Sequence, residues 1–102
     1  MKLISKLKRL IGINVAEYVI LYTNPLTNQQ KIQLTNKMIA KFPSSCRPNR
    51  IRVSQQAVGV TMENACLSGE LLKKISDDTV SPDKADISSI KLDGNTIWSK
   101  NN

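Results

Sequence analysis

The sequence predicts an α+β fold, in which a small three-stranded sheet carries two helices on one face in the order β-α-β-β-α. Residues 15–23 are almost continuously apolar, β-branched or aromatic, which is typical of a central strand covered on both faces. Residues 51–54 alternate between apolar and polar side chains, as a half-buried strand does. Residues 28–42 repeat apolar side chains at helical spacing, and so does a second segment that ends near Asp78. We expect a basic amphipathic helix before this core and a hairpin appendage after it.

The predicted helix before the core is the most sharply amphipathic segment of the chain. Within residues 2–12, aliphatic side chains occupy one helical face and basic side chains the other, and Gly12 stands where a helix would end. An isolated helix this short is marginal in water, so it needs a surface to bind. The alternatives are the protein's own sheet, an anionic membrane and a partner protein. The membrane or partner contacts predicted for this helix are Leu3, Lys6, Leu7, Arg9 and Leu10.

The first half of the core has clear local signals. Thr27 and Gln30 form a capping-box pattern at the start of the first core helix, and Pro43 ends that helix. Residues 58–62 follow residues 51–54 closely enough to pair with them as an antiparallel strand. The Gln-Gln pair between these strands is unusual for a tight turn, so their register stays open.

The second half of the core begins with a helix for which Asn64 or Ser68 is the predicted N-cap. A short hairpin follows, with Asp-Gly at 93–94 as its turn and Ile90 expected opposite Ile97. The predicted divisions of the chain are a basic helix in 1–13, an α+β core domain in 14–80, and a C-terminal appendage in 81–102 for which partial disorder is an alternative.

The charge of the chain favours binding over catalysis. Its 102 residues contain 15 Lys and Arg, 8 Asp and Glu and no histidine, for a formal net charge of +7. Ten of the cations and one of the acids lie in residues 1–52, a net +9 there, whereas residues 53–102 carry a net −2. The lack of histidine removes His-based triads and the usual general base near neutral pH. We therefore expect a non-enzymatic protein without cofactor or metal, whose field attracts phosphate-bearing partners.

A second basic feature is the segment Arg47-Pro-Asn-Arg50-Ile-Arg52, in which a proline-containing loop leads into a strand. Arg50 and Arg52 project to the same side of an extended strand, and guanidinium groups suit phosphate oxygens. Together with Arg47 they are candidate contacts to a nucleic-acid backbone or another anionic partner. The alternative is a strand face that arginine merely keeps solvated. No aromatic residue lies among them to stack on bases.

The two cysteines, Cys46 and Cys66, match no metal-site spacing and no Cys-x-x-Cys motif. We expect free thiols in a reducing cytoplasm, with a single bridge between them as the alternative. The longest uninterrupted apolar stretch, residues 18–22, is much shorter than a membrane span requires. Neither a membrane span nor a cleavable signal is expected, so the predicted location is cytoplasmic, with peripheral attachment to the inner membrane surface as an alternative.

Three short motifs suggest a relationship. Pro25-Leu26 follows the first strand, Phe42-Pro43 ends the first helix, and residues 51–53 form an Ile-Arg-Val strand. Across residues 17–78 these motifs and their spacing resemble the DinI-like family, which comprises small SOS-response proteins of bacteria, plasmids and phages. The resemblance implies a non-enzymatic modulator of the RecA filament, or an SOS-linked antirepressor, that acts by protein contact. It also implies an acidic partner-binding helix, whose counterparts here are Glu70, Asp77 and Asp78.

A looser similarity is to the MinE family of topological regulators of cell division. In that family a basic amphipathic membrane helix precedes a strand, a helix and two strands. Lys41-Phe42 and residues 49–54 lie where that family has comparable residues. This similarity implies a membrane-bound regulator.

The expected function is a small bacterial or phage regulatory protein of DinI-like type that binds a protein partner, with a RecA-like filament as the suspected one. The first alternative is a peripheral membrane-binding regulator that uses the N-terminal helix. The second is a nucleic-acid-binding protein that uses Arg47, Arg50 and Arg52.

Overall fold

A computed structural model describes residues 15–80 and 85–101. The basic helix predicted for residues 1–13, with its five contact residues, lies outside the described residues. Within them the α+β class is confirmed. The elements are β1 (Ala16–Tyr22), α1 (Asn28–Lys37), a 3-10 helix (Met38–Lys41), β2 (Arg50–Val53), β3 (Ala57–Met62), α2 (Gly69–Thr79), β4 (Ile87–Leu92) and β5 (Asn95–Ser99).

The sheet has five strands in the order β2-β3-β1-β4-β5, and every neighbouring pair is antiparallel. The predicted three-stranded sheet is therefore wrong. The C-terminal hairpin, expected as an appendage, extends the sheet, because β4 pairs with the second edge of β1. This pairing places β1 at the centre of the sheet, as its apolar sequence predicts. The order β-α-β-β-α-β up to β4 is that of the ferredoxin-like, or split βαβ, motif.

A β-bulge between Ile90 and Lys91 sets the register of the last two strands. Ile90 lies opposite Trp98, and Lys91 lies opposite Thr96, so the predicted pairing of Ile90 with Ile97 is wrong by one residue. A bulge inserts an extra residue into one strand and reverses the facing of the residues beyond it. As a result Trp98 packs against the core, and Ile97 is 39% exposed.

Helix α1 begins as predicted and ends early. The Thr27 hydroxyl accepts a hydrogen bond from the Gln30 N–H, and the Gln30 side chain accepts one from the Thr27 N–H, which completes the capping box. The α-helix stops at Lys37 and tightens into the 3-10 helix. Phe42 is extended there, because the proline that follows it disfavours helical backbone.

Helix α2 lies very close to β5. Ser68 caps it by accepting a hydrogen bond from the Leu71 N–H. A Cβ added to Gly69, the first helical residue, would lie 2.8 Å from the Cβ of Trp98. Only glycine therefore permits this approach of the helix to the C-terminal hairpin.

The core lies between the helices and one face of the sheet, and two tyrosines of β1 connect the layers. The Tyr18 hydroxyl donates to the Leu67 carbonyl at 2.8 Å and accepts from the Leu67 N–H at 3.1 Å. The Tyr22 hydroxyl lies 2.6 Å from the Ser76 hydroxyl. All of these groups are buried, so each hydroxyl satisfies a polar atom that would otherwise be costly to bury.

Stability is expected to fall at high pH through Tyr22. Burial raises the pKa of Tyr22 from 10.0 to about 12; the hydrogen bond to Ser76 opposes this rise and the charge of Asp77 adds to it. The folded state thus holds the phenol proton more tightly than the unfolded state. This contribution is fully present below pH 10 and is lost as the pH rises from 10 through about 12, by roughly 3 kcal/mol in all.

Urea titrations of the wild type and Tyr22→Phe at several pH values would measure this effect. The two proteins differ only in the Tyr22 hydroxyl, so the difference in pH dependence isolates Tyr22. Parallel curves for the two proteins between pH 10 and 12 would contradict the assignment.

Candidate functional site

Neither helix of residues 15–80 and 85–101 covers the second face of the sheet. Alternate β1 residues Ala16, Tyr18, Ile20 and Tyr22 are buried under the helices, whereas the residues between them are exposed or half-buried. Within the described part of the chain, the prediction that β1 is covered on both faces is therefore wrong, since both helices found there pack on one side. We call the uncovered side the open face. It is formed by Glu17, Val19, Leu21, Arg50, Arg52, Ala57, Gly59, Thr61, Ser89 and Lys91.

Strand register places three cations on this face. Arg52 lies opposite Gly59, Gly59 opposite Val19, and Val19 opposite Lys91, so one row crosses four strands with a cation at each end. Arg50 lies two residues before Arg52 and projects to the same side, as predicted. Neighbouring strands are about 4.8 Å apart, so the row spans about 14 Å between Arg52 and Lys91.

The cations of the open face have no carboxylate partner in the described part of the chain. The ion pairs found there are Lys73–Asp77, Lys74–Asp78 and Lys100–Asp86, all away from the open face. Both arginines are exposed, and Lys91 is half-buried. Glu17 is the acidic residue of the face, next to Asp93, whose carboxylate accepts a hydrogen bond from the Glu17 N–H at 2.9 Å. The open face therefore carries a net positive charge at its β2 edge.

The residues at the centre of the open face have small side chains, so a ligand can come close to the backbone there. A Cβ added at Gly59 would meet only the carbonyl oxygen of Arg52, at 4.0 Å, so the space above it is open. The aromatic residues Tyr18, Tyr22 and Phe42 are buried elsewhere, and Trp98 packs against the core. Since these are all the aromatic residues of the chain, the open face offers no platform on which bases could stack.

Arg47 is not part of the open face. It is exposed in the loop before β2 and borders a polar cavity of about 310 Å³, which Glu63, Asn64 and both cysteines also line. The structure therefore separates the predicted arginine trio: Arg50 and Arg52 share the sheet face, and Arg47 lies beyond the end of the strand. Conversely, Lys91 belongs to the face and was not predicted, because the C-terminal hairpin was expected to lie outside the sheet.

The carboxylates of α2 are engaged within the protein. Asp77 pairs with Lys73 at 2.6 Å, and Asp78 pairs with Lys74 at 2.7 Å. The hydrogen bond to Asp78 raises the pKa of Lys74. Glu70 accepts a hydrogen bond from the indole N–H of Trp98 at 3.0 Å. The three acidic residues predicted to contact a protein partner thus lie on one helix, two of them beside neutralising lysines.

Cys46 and Cys66 form a disulfide, so the expectation of two free thiols is wrong. Their Cα atoms are 6.0 Å apart, within the range that a disulfide bridges without backbone movement. The β2–β3 hairpin brings them together by reversing the chain between them. Sequence spacing alone carries no information about this distance.

Comparisons with known proteins identify no relative of the chain, so the evidence on function comes from the open face. No protein-family model, curated protein or solved structure matches the chain. Within residues 15–80 and 85–101, neither helix has the length and apolar character needed to cross a bilayer. In the same residues, no three His, Cys, Asp or Glu side chains gather as a metal site would require.

Proposed function

We propose that the protein is a non-enzymatic binding protein whose open face holds the phosphate backbone of a nucleic acid. The observation that carries this proposal is the placement of Arg50, Arg52 and Lys91 on an uncovered sheet face without carboxylate partners in the described residues. Guanidinium groups bind phosphate oxygens through charge-assisted, often paired hydrogen bonds. Neutralised phosphates release counterions, which makes such binding favourable at low salt.

The surface also indicates how the nucleic acid would be bound. Gly59 and Val19 lie between the cations and have small side chains, so a phosphate backbone can approach the sheet there. Without aromatic side chains the face cannot stack on bases, and contacts to phosphate carry no sequence information. We therefore propose binding that is independent of sequence and steeply dependent on salt.

Arg50→Ala with Arg52→Ala is expected to weaken binding to a labelled oligonucleotide of mixed sequence about tenfold at low salt, or about 1.4 kcal/mol. The slope of log affinity against log salt is expected to become shallower by about 2, since two phosphate contacts are lost. Fluorescence anisotropy across a salt series measures both quantities.

The matched control for this experiment is Lys37→Ala with Lys41→Ala, which removes the same charge from exposed positions beyond the open face. We expect it to retain most of the affinity. Equal losses in the two double variants would show a response to net charge alone, and absence of binding by the wild type would refute the proposal.

A regulatory role of DinI-like type is the second candidate, because the observed order β1-α1-β2-β3-α2 agrees with that resemblance. Its proposed partner is a RecA-like filament in the cytoplasm, contacted through Glu70, Asp77 and Asp78. Co-sedimentation of the protein with preformed RecA filaments at moderate salt tests it. Loss of co-sedimentation in Asp77→Asn with Asp78→Asn would support this contact, and an absence of co-sedimentation by the wild type would remove it.

A further inference from the structure

The Cys46–Cys66 disulfide closes the base of the hairpin that displays the two arginines. Cys46 lies four residues before the start of β2, and Cys66 lies four residues after the end of β3. The covalent ring therefore encloses both strands and both arginines of the open face. Every other strand pair of the sheet lacks such a covalent link among the described residues.

The two ends of this hairpin are held in different ways. At its tip, the N–H groups of Tyr22 and Leu26 donate to the carbonyls of Gln56 and Gln55, at 3.0 and 2.8 Å. At its base, the disulfide and the hydrogen bond from the Asn49 N–H to the Thr61 carbonyl, at 2.7 Å, join the two arms of the hairpin. Opening the disulfide would therefore loosen the base and leave the tip attached.

Strand β2 makes few other stabilising contacts. It has four residues and, among the described strands, lies at the edge of the sheet and pairs with β3 alone. Its apolar residues Ile51 and Val53 are only half-buried. Edge strands with few buried contacts are the parts of a protein that open most easily. The position of Arg50, at the base of the hairpin, depends on the disulfide more than the position of Arg52 does, because Arg50 lies nearer to Cys46 in the chain.

The disulfide presents one accessible end. Cys66 is exposed, whereas Cys46 is 6% exposed. A reductant therefore approaches the disulfide from the side of Cys66, and the direction of attack decides which thiolate leaves.

We propose that this disulfide is a thiol-exchange site for a dithiol reductant, and that its reduction weakens the hold of the open face on nucleic acid. The second half of this statement rests on the function proposed above. Strand pairing fixes the backbone positions of Arg50 and Arg52, which preorganises the face for phosphate, and a loosened β2 must be reordered on binding.

The exchange proceeds in two balanced steps. A thiolate of the dithiol attacks Sγ of Cys66, forms a mixed disulfide and expels the thiolate of Cys46. The second thiol of the reductant, as its thiolate, then attacks the reductant's own sulfur in the mixed disulfide and expels the thiolate of Cys66. The dithiol gives up two electrons and becomes a cyclic disulfide, and its two protons end on the two cysteines.

Binding of the labelled oligonucleotide to the full chain before and after treatment with dithiothreitol tests the proposal. Alkylation and mass spectrometry count the thiols, and hydrogen exchange compares residues 50–53 with the central pair β1–β4. We expect two thiols per chain, exchange in residues 50–53 that accelerates more than exchange in β1–β4, and an affinity about three- to tenfold lower. Cys46→Ser with Cys66→Ser should bind the oligonucleotide with the affinity of the reduced protein, and dithiothreitol should not change that affinity.

The outcomes separate the two proposals. If no thiols form in the native protein, the exchange site is refuted. If two thiols form and the affinity is unchanged, the link to the open face is refuted. If the oxidised protein does not bind the oligonucleotide, the proposed function fails, while thiol counting and hydrogen exchange still decide whether reduction loosens β2. Should the serine variant not fold, the reduced wild type supplies the same comparison.

Discussion

Replacing Ile90 with alanine is expected to lower the free energy of unfolding by about 3 kcal/mol. Ile90 is fully buried in β4, opposite Ile20 of β1 and Trp98 of β5. Removing its side chain leaves a cavity between three strands and the helix layer, where the paired backbone limits collapse. Urea denaturation followed by circular dichroism would measure the loss.

The matched control is Ile97→Ala, which deletes the same atoms from the adjoining strand. Ile97 is 39% exposed, so we expect a loss below about 1 kcal/mol. If the C-terminal hairpin did not pack on the core, both variants would show similarly small losses of unfolding free energy. The difference between them therefore measures how far β4 is part of the core, and equal small losses would contradict the five-stranded sheet.

Replacing both cysteines with serine is also expected to cost about 3 kcal/mol of unfolding free energy. The bridge spans a sequence separation of 20 residues, and closing a loop of this size restricts the unfolded chain by about that amount. Because the effect arises largely in the unfolded state, we expect the folded sheet to keep its circular dichroism spectrum.

Reduced wild type is the comparison for this double variant. Both proteins lack the cross-link and should unfold at the same urea concentration, below that of the oxidised protein. An oxidised protein that unfolds at the same urea concentration as the reduced one would show that the bridge does not form in solution.

Local features were predictable from the sequence. The capping box of Thr27 and Gln30, the end of the helical segment before Pro43, and the shared facing of Arg50 and Arg52 all depend on residues a few positions apart. Such short-range signals act through hydrogen bonds and steric limits within one turn or one strand. The strand at Ala16–Tyr22 was equally clear, because its length and apolar character suit the centre of a sheet.

Local patterns thus predicted the elements, their order and the basic charge of β2, whereas the contacts between the elements depend on long-range packing. The pairing of β4 with β1, the bulge that turns Trp98 inward and the bridge from Cys46 to Cys66 join positions far apart in the chain. The same pairing brought Lys91 into the row with Arg52 and gave the open face its third cation. Pairing between distant residues depends on how much apolar surface the whole sheet buries. A local sequence pattern does not contain that information.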